Sequence, residues 1–290
     1  MSALPAEADY TSGDPGFVTG PWRRSRRALV DAACRLAAAA LASSRRADAA
    51  SAAQPRRRVL VAGIYRPGSL MPAALGALHS DRHDVTLALG CTAGPHPSLA
   101  AVTLADHLGG GKFGNLNRVL EAAPDRDGFD WTLVLDDDLT LPPRFLDRLV
   151  ALSERFDLDI AQPAQTWLSH SAWRVTRRRP GSLVRETRFV EIGPATAFRR
   201  PAAAELLPFP ELRYGWGLDL HWAAVAAERG WRLGVVDAVP VRHETAPVAA
   251  SYSHDDAIAE AAEFLAARPF LSSAAAGDTL AVHHRLPRAR

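Results

Sequence analysis

Residues 131–142 read WTLVLDDDLTLP: five apolar or β-branched residues run straight into three consecutive carboxylates, Asp136, Asp137 and Asp138. An uninterrupted apolar run of this length suits a strand buried on both faces, as inside a parallel sheet. Pro142 and Pro143 stop the strand and let a helix begin. Three carboxylates at the end of a buried strand repel one another unless a cation sits among them. Alternation along an extended chain points Asp136 and Asp138 to one side and Asp137 to the other. The first two then suit Mg²⁺ or Mn²⁺ as oxygen ligands, with substrate phosphates completing the shell. A solvated turn followed by a helix cap is the alternative.

Outward from this strand, apolar runs and helical periodicity alternate. Upstream, strands are expected at 59–65 (VLVAGIY), 84–90 (DVTLALG) and, in short form, 101–104, with helices over 72–79 and 115–122. Downstream, the pattern predicts a helix over 143–156, strands at 160–166, 189–193 (FVEIG), 231–236 and 239–243, and helices over 218–229 and 255–267. Such alternation implies an α/β fold with a mainly parallel, doubly wound, Rossmann-like sheet and helices on both faces. Sheets of this kind bind ligands at the carboxyl ends of their strands, where the aspartates stand.

Composition bounds the rest. The 290 residues carry a formal charge of +2, 48% hydrophobic and 23% charged residues, and Lys112 is the only lysine. That charge is too small to imply nucleic acid as a partner. Cys34 and Cys91 form no metal-ligand spacing, so reduced thiols in a cytoplasmic protein are expected. No run approaches the roughly 20 apolar residues that span a bilayer. Residues 1–21 read as disordered. The Arg/Ala-rich helical pattern of 22–46 allows at most weak peripheral contact with an anionic membrane, because its face of Leu29, Ala33, Leu36, Ala37, Ala40 and Leu41 is mostly alanine and better suited to packing on the domain. The expected organisation is an extension over 1–56, a catalytic domain over 57–270 and a flexible tail over 271–290.

Four features stand in order: the DDD strand end, FVEIGPATAF at 189–198, GWGLD at 215–219, and VRH at 241–243. With this order and spacing, residues 57–270 resemble the GT-A glycosyltransferases, close to the family 2 type. The resemblance implies a metal-dependent transfer of a sugar from a nucleoside diphosphate sugar to an acceptor hydroxyl, with inversion. It makes Asp136 and Asp138 the DxD metal ligands and His243 a further one, with Mn²⁺ or Mg²⁺ as cofactor. It makes Gly193 part of a glycine loop near the acceptor and Asp219 the catalytic base. Tyr65, Arg66, Lys112, Asn115, Asn117 and Asp137 are expected around the nucleotide sugar, although the first strand ends IYRPG where the family 2 pattern has Asn after the Tyr.

The chemistry asks for the same residue types. Cleaving a nucleotide sugar requires a stabilised diphosphate leaving group, which a divalent ion supplies as Lewis acid and template. Inversion requires a base for the acceptor proton. Asp219 opens a helix, where the macrodipole favours its ionised form, or it only caps that helix. Trp216 and Tyr214 offer a stacking platform for a sugar, or core packing. Arginines 177–179 are a clamp for an anion, or a solvated loop. Glu211 and Glu191 are the next candidate carboxylates. The rival reading is a haloacid dehalogenase-type phosphatase, in which Asp136 is the nucleophile of a DxDxT motif.

Overall fold

The computed structural model describes residues 4–13, 20–125, 128–244 and 252–288. Ten strands form one sheet system: β1 (Arg58–Tyr65), β2 (Asp84–Cys91), β3 (Thr103–Ala105), β4 (Trp131–Leu135), β5 (Leu139–Thr140), β6 (Ile160–Gln165), β7 (Val184–Thr187), β8 (Ala195–Arg199), β9 (Leu233–His243) and β10 (Thr279–His283). The spatial order is β10-β7-β9-β6-β8-β4-β1-β2-β3, with β5 paired to β9 off this path. β2, β1 and β4 run parallel, as do β6 and β9. β8 is inserted antiparallel between β4 and β6, and β7 lies antiparallel to β9. The sheet is therefore mixed but largely parallel in its central strands. The carboxyl ends of β1, β4, β6 and β9 fall on one edge, and β8 enters from that same edge.

The helices are α1 (Pro21–Ala40), α2 (Ser43–Ala53), α3 (Met71–Leu78), α4 (Lys112–Ala122), α5 (Phe145–Arg155), α6 (Arg200–Leu206), α7 (Leu218–Arg229), α8 (His254–Ala266) and α9 (Ser273–Ala276). Period-2 alternation divides the strand residues between two cores. Leu60, Ala62, Val134 and Phe198 pack with Leu116 of α4, Ala202 of α6, Trp222 of α7 and Phe264 of α8. Val59, Val61, Leu133, Leu135 and Ala197 face the other way, against Ala47 of α2, Leu78 of α3 and Leu149 of α5. The fold is thus α/β and doubly wound, with helices on both faces of the sheet. Gly90 shows how close the layers approach: a Cβ there would stand 2.7 Å from Val119 of α4.

Several expectations change. FVEIG at 189–193 is not a strand. Phe189 and Val190 are buried, but the Glu191 amide donates to the Gln162 side chain at 2.8 Å instead of joining a ladder; the strand is β8, just beyond. The tail expected to be flexible carries α9 and β10, and β10 pairs with β7 at the sheet edge. The boundary at residue 56 also falls inside the packed structure. Ala47 and Ser51 of α2 are fully buried, and Asp48 accepts from Arg144 and Arg148 at α5. Of the stretch read as disordered, residues 1–3 and 14–19 lie outside the described residues. Glu7–Asp9 form a 3-10 turn, and the buried Tyr10 donates its hydroxyl proton to the Ile258 carbonyl.

Arginines in the basic stretch 167–187 serve as a frame for the loop after β6. Arg177 is buried and its guanidinium donates to the carbonyls of Trp167, Ser169 and Ser171. Arg185, also buried, donates to Asp237 and to the carbonyls of Val175 and Arg177, while Asp237 accepts from the Arg179 amide. These groups clamp backbone, not a ligand. Breaking a buried ion pair by removing one partner leaves the other charge uncompensated. Asp237→Ala is therefore expected to cost about 3–5 kcal/mol in urea unfolding; a loss below ~1 kcal/mol, the worth of an exposed pair, would contradict this account.

Candidate active and metal site

The aspartates leave β4 at the edge where the carboxyl ends of the parallel strands gather, and each carboxylate meets a different cationic side chain. Lys112 Nζ, at the first turn of α4, is 2.5 Å from Asp136 Oδ1. Arg66, just past β1, grips Asp137 by its backbone amide at 2.8 Å and by its guanidinium at 3.0 and 2.7 Å. His243 Nε2, at the end of β9, is 3.0 Å from Asp138 Oδ1. The pairing of β5 with β9, Leu139 opposite His243, brings the last two together. The expected alternation holds: ligand atoms of Asp136, Asp138 and His243 lie within 4.8 Å of one another, while Asp137 turns to Arg66.

These residues fit a divalent cation. The His243 ring lies 3.0 Å from the His170 carbonyl through Nδ1, and a carbonyl only accepts, so Nδ1 carries hydrogen. Nε2 then presents its lone pair, or a second proton, to Asp138. That is the arrangement in which a backbone carbonyl fixes the tautomer of a metal-binding histidine. Asp138 Oδ1 is buried and makes no well-formed hydrogen bond, although Nε2 is near. Burial disfavours a charged imidazole, but the Asp138 carboxylate beside it prevails and raises His243 to about 9. Burial opposes ionisation of Asp138 as well, and His243 overcomes it, lowering the carboxyl.

A cleft of about 760 Å³ opens over this cluster, lined among others by Arg66, Asn115, Gly193, Trp216 and Tyr252. At Gly193 the chain passes close to Asp136. A Cβ there would stand 3.1 Å from Asp136 Oδ2 and 3.7 Å from Lys112 Nζ. Trp216 donates through Nε1 to the Tyr252 hydroxyl at 2.9 Å, and Tyr252 stacks on Tyr214 with centroids 4.8 Å apart. Two expected contacts lie elsewhere. Tyr65 is buried and absent from the cleft wall, its hydroxyl 2.8 Å from Thr103 Oγ1 and accepting from the His96 amide. Asn117 also misses the cleft; its amide group braces the chain at Phe209 by donating to that carbonyl and accepting from that amide. Asp137 lines the cleft, and both of its oxygens accept from Arg66, so this carboxylate positions Arg66.

Deeper in the cleft stand two buried carboxylates. Asp219 lies in the first turn of α7, but the cap position is Gly217, which has no side chain to cap with. Its carboxylate instead accepts from the amides of Leu220 at 2.9 Å and Ile192 at 3.4 Å. Burial, then the neighbouring Glu191, raises Asp219 to about 8, against the helix dipole that favours its ionised form. Burial likewise raises Glu191 to about 7, while its Oε2 accepts from Gln165 at 2.6 Å and Thr176 at 3.2 Å. Glu211 is exposed and outside the cleft wall. Sequence reasoning missed Tyr252, Trp173 and Tyr10 in the lining. Tyr10 sits in a segment whose composition signals disorder, and nothing local marks the other two.

No family model matches the chain, and no curated protein does. Among solved structures, one described as "Crystal Structure of a Mycobacterial Protein" superposes with a TM-score of 0.45 at 15% identity, covering 70% of this chain and 72% of that one.

The His243–Asp138 pair makes stability depend on pH. A histidine raised in the folded state contributes stability fully present below its ordinary 6.5, and that contribution is lost as pH rises through about 9. Metal-free protein is expected to lose stability across this window by up to about 1.4 kcal/mol per pH unit. Asp138→Asn should flatten that dependence. Because a cation must displace the Nε2 proton, Mn²⁺ affinity should climb across the same window. An unchanged slope in Asp138→Asn, or Mn²⁺ binding indifferent to pH, would remove the pair from the site.

Proposed function

We propose that the protein is a metal-dependent glycosyltransferase, moving a sugar with inversion from a nucleoside diphosphate sugar to an acceptor hydroxyl. One observation carries the reading: Asp136, Asp138 and His243 converge at the strand end, in the same cleft as the buried carboxylate of Asp219. A bound Mn²⁺ or Mg²⁺ would supply Lewis-acid stabilisation of the departing diphosphate. Asp136, Asp138 and His243 would hold it, and Mn²⁺ suits the nitrogen ligand better. Lys112 and the half-exposed Arg66 give the phosphates further positive charge. The cleft volume lies within the usual range for small-ligand sites, roughly 300–1,000 Å³.

Asp219 is the residue for the acceptor proton. A base works best when its pKa lies near the working pH, and burial beside Glu191 brings Asp219 to about 8. Residues 191–193 join the two ends of the cleft. The Ile192 amide holds Asp219, and Gly193 lets the chain pass close to Asp136. Tyr214, Trp216 and Tyr252 offer aromatic surface for a sugar face. A phosphatase with Asp136 as nucleophile is favoured by one observation, Lys112 against Asp136. It leaves the breadth of the cleft and the buried Asp219–Glu191 pair without a task.

A thermal-shift panel tests the donor site. UDP, GDP or TDP should stabilise the protein only with Mn²⁺ or Mg²⁺, by ~2.7 kcal/mol at about 100 times the dissociation constant. No shift with any nucleoside diphosphate and either metal would reject it. Phosphate release from a simple monoester, unaltered in Asp219→Asn, would favour the phosphatase.

Asp219→Asn separates base from scaffold. A carboxyl raised from 3.8 to about 8 costs the fold stability as pH climbs between those values, because the unfolded chain ionises more readily. The amide removes that cost, so the variant should be more stable than the parent above pH 8. Its transfer rate should fall roughly 10²- to 10⁴-fold with nucleotide binding intact. Wild-type turnover would take Asp219 out of the mechanism and make Glu191 the base to test.

A further inference from the structure

α1 faces the wrong way for a helix that only packs on its own domain. Its turns toward the protein hold Asp31 and Cys34, both buried. Its large apolar residues point out: Trp22 is 80% exposed, Leu29 71% and Leu36 72%. Spaced seven apart, two helical turns, they form one stripe with the exposed Ala33 and Ala40 along a helix about 30 Å long. The leucines expected to pack on the domain are thus the ones presented to solvent.

Exposed arginines gather at the Trp22 end of the stripe: Arg26 lies beside it and Arg23 flanks it, while Arg24 and Arg35 are exposed farther round the helix and Arg45 follows at the start of α2. The acidic residues of these two helices are Asp31 and Asp48, and both are engaged inward. Asp31 accepts from the amides of Trp167 and Leu168 at 2.8 and 3.1 Å, and Asp48 from Arg144 and Arg148. The outer surface therefore pairs an apolar stripe, with a tryptophan at one end, with charge of one sign. No helix among the described residues is long and apolar enough to cross a membrane.

We propose that α1 is a peripheral docking surface for an anionic lipid bilayer, lying along the interface with Trp22, Leu29 and Leu36 in the acyl boundary and the arginines among the headgroups. A helix lies in the interface when a large apolar face is flanked by basic residues, and binding grows with apolar area and with anionic lipid. A second copy of the chain would cover the stripe but offer the arginines no anionic partner, since the acidic residues of α1 and α2 are engaged inward. A nucleic acid would satisfy the arginines and leave Leu29 and Leu36 unpartnered. The helix is tied to the domain through Asp31, which accepts from the amides of Trp167 and Leu168 in the loop whose His170 carbonyl meets His243. This surface stands apart from the sugar-transfer reading and is tested without nucleotide.

The test is flotation of the full chain with vesicles of phosphatidylcholine alone or with about 30 mol% phosphatidylglycerol. The expected result is at least tenfold more protein on the anionic vesicles, released by about 0.5 M salt. Leu29→Asp/Leu36→Asp and Arg23→Glu/Arg26→Glu should each cut binding about tenfold or more while leaving the unfolding midpoint in place, since all four side chains are exposed. Absence of binding to both vesicle types would overturn the proposal. So would equal binding by parent and both variants, or a dimer in sedimentation velocity that the leucine variant alone dissociates. Retention on a polyanion with no response to the leucine change would assign the face to nucleic acid instead.

Discussion

Three carboxylates in succession at the end of a buried strand repel one another, and the architecture around them answers that repulsion one charge at a time. Lys112 comes from the start of α4, Arg66 from the end of β1 and His243 from the end of β9. Each lies where an element of the sheet-and-helix frame meets the same edge. The distribution also sorts the aspartates. Asp137 is tied up by a bidentate arginine, whereas Asp136 and Asp138 face a lysine and a histidine that a cation can displace or join.

The far end of the cleft carries a different cost. Asp219 and Glu191 are both buried, burial raises each of them, and Glu191 raises Asp219 further, with only a few donors to share. A fold selected for stability alone would not place two acids there. Such pairs are characteristic of sites that hold or move a proton near neutral pH. The same logic applies to the loop after β6: two buried arginines hold its carbonyls, and its His170 carbonyl in turn sets the ring of His243.

The N-terminal region is integral to this frame. α2 covers α5, Tyr10 reaches the cleft wall, and α1 is bolted to the loop at Trp167 by one aspartate. An appendage by composition is thus a structural wall on one side and an outward apolar stripe on the other.

What the sequence determined by itself is local. The strand at 131–135, the sidedness of Asp136 and Asp138, the alternation of strands and helices and the start of α7 follow from short-range periodicity, because burial repeats every two residues along a strand and about every 3.6 along a helix. Tertiary structure decided whatever depends on distant partners. His243 meets Asp138 only because β5 turns back to pair with β9. Tyr65 and Asn117 stand in site-like positions along the chain, but their side chains are claimed by Thr103 and by the backbone at Phe209. FVEIG has a strand's composition, yet the Gln162 side chain takes the amide that a ladder would need. The Asp219 carboxyl is raised because desolvation in a packed cleft works against the helix dipole that the sequence alone displays. The outward turn of Leu29 and Leu36 was settled by Asp31, whose hydrogen bonds to the Trp167 and Leu168 amides fix which side of α1 faces in.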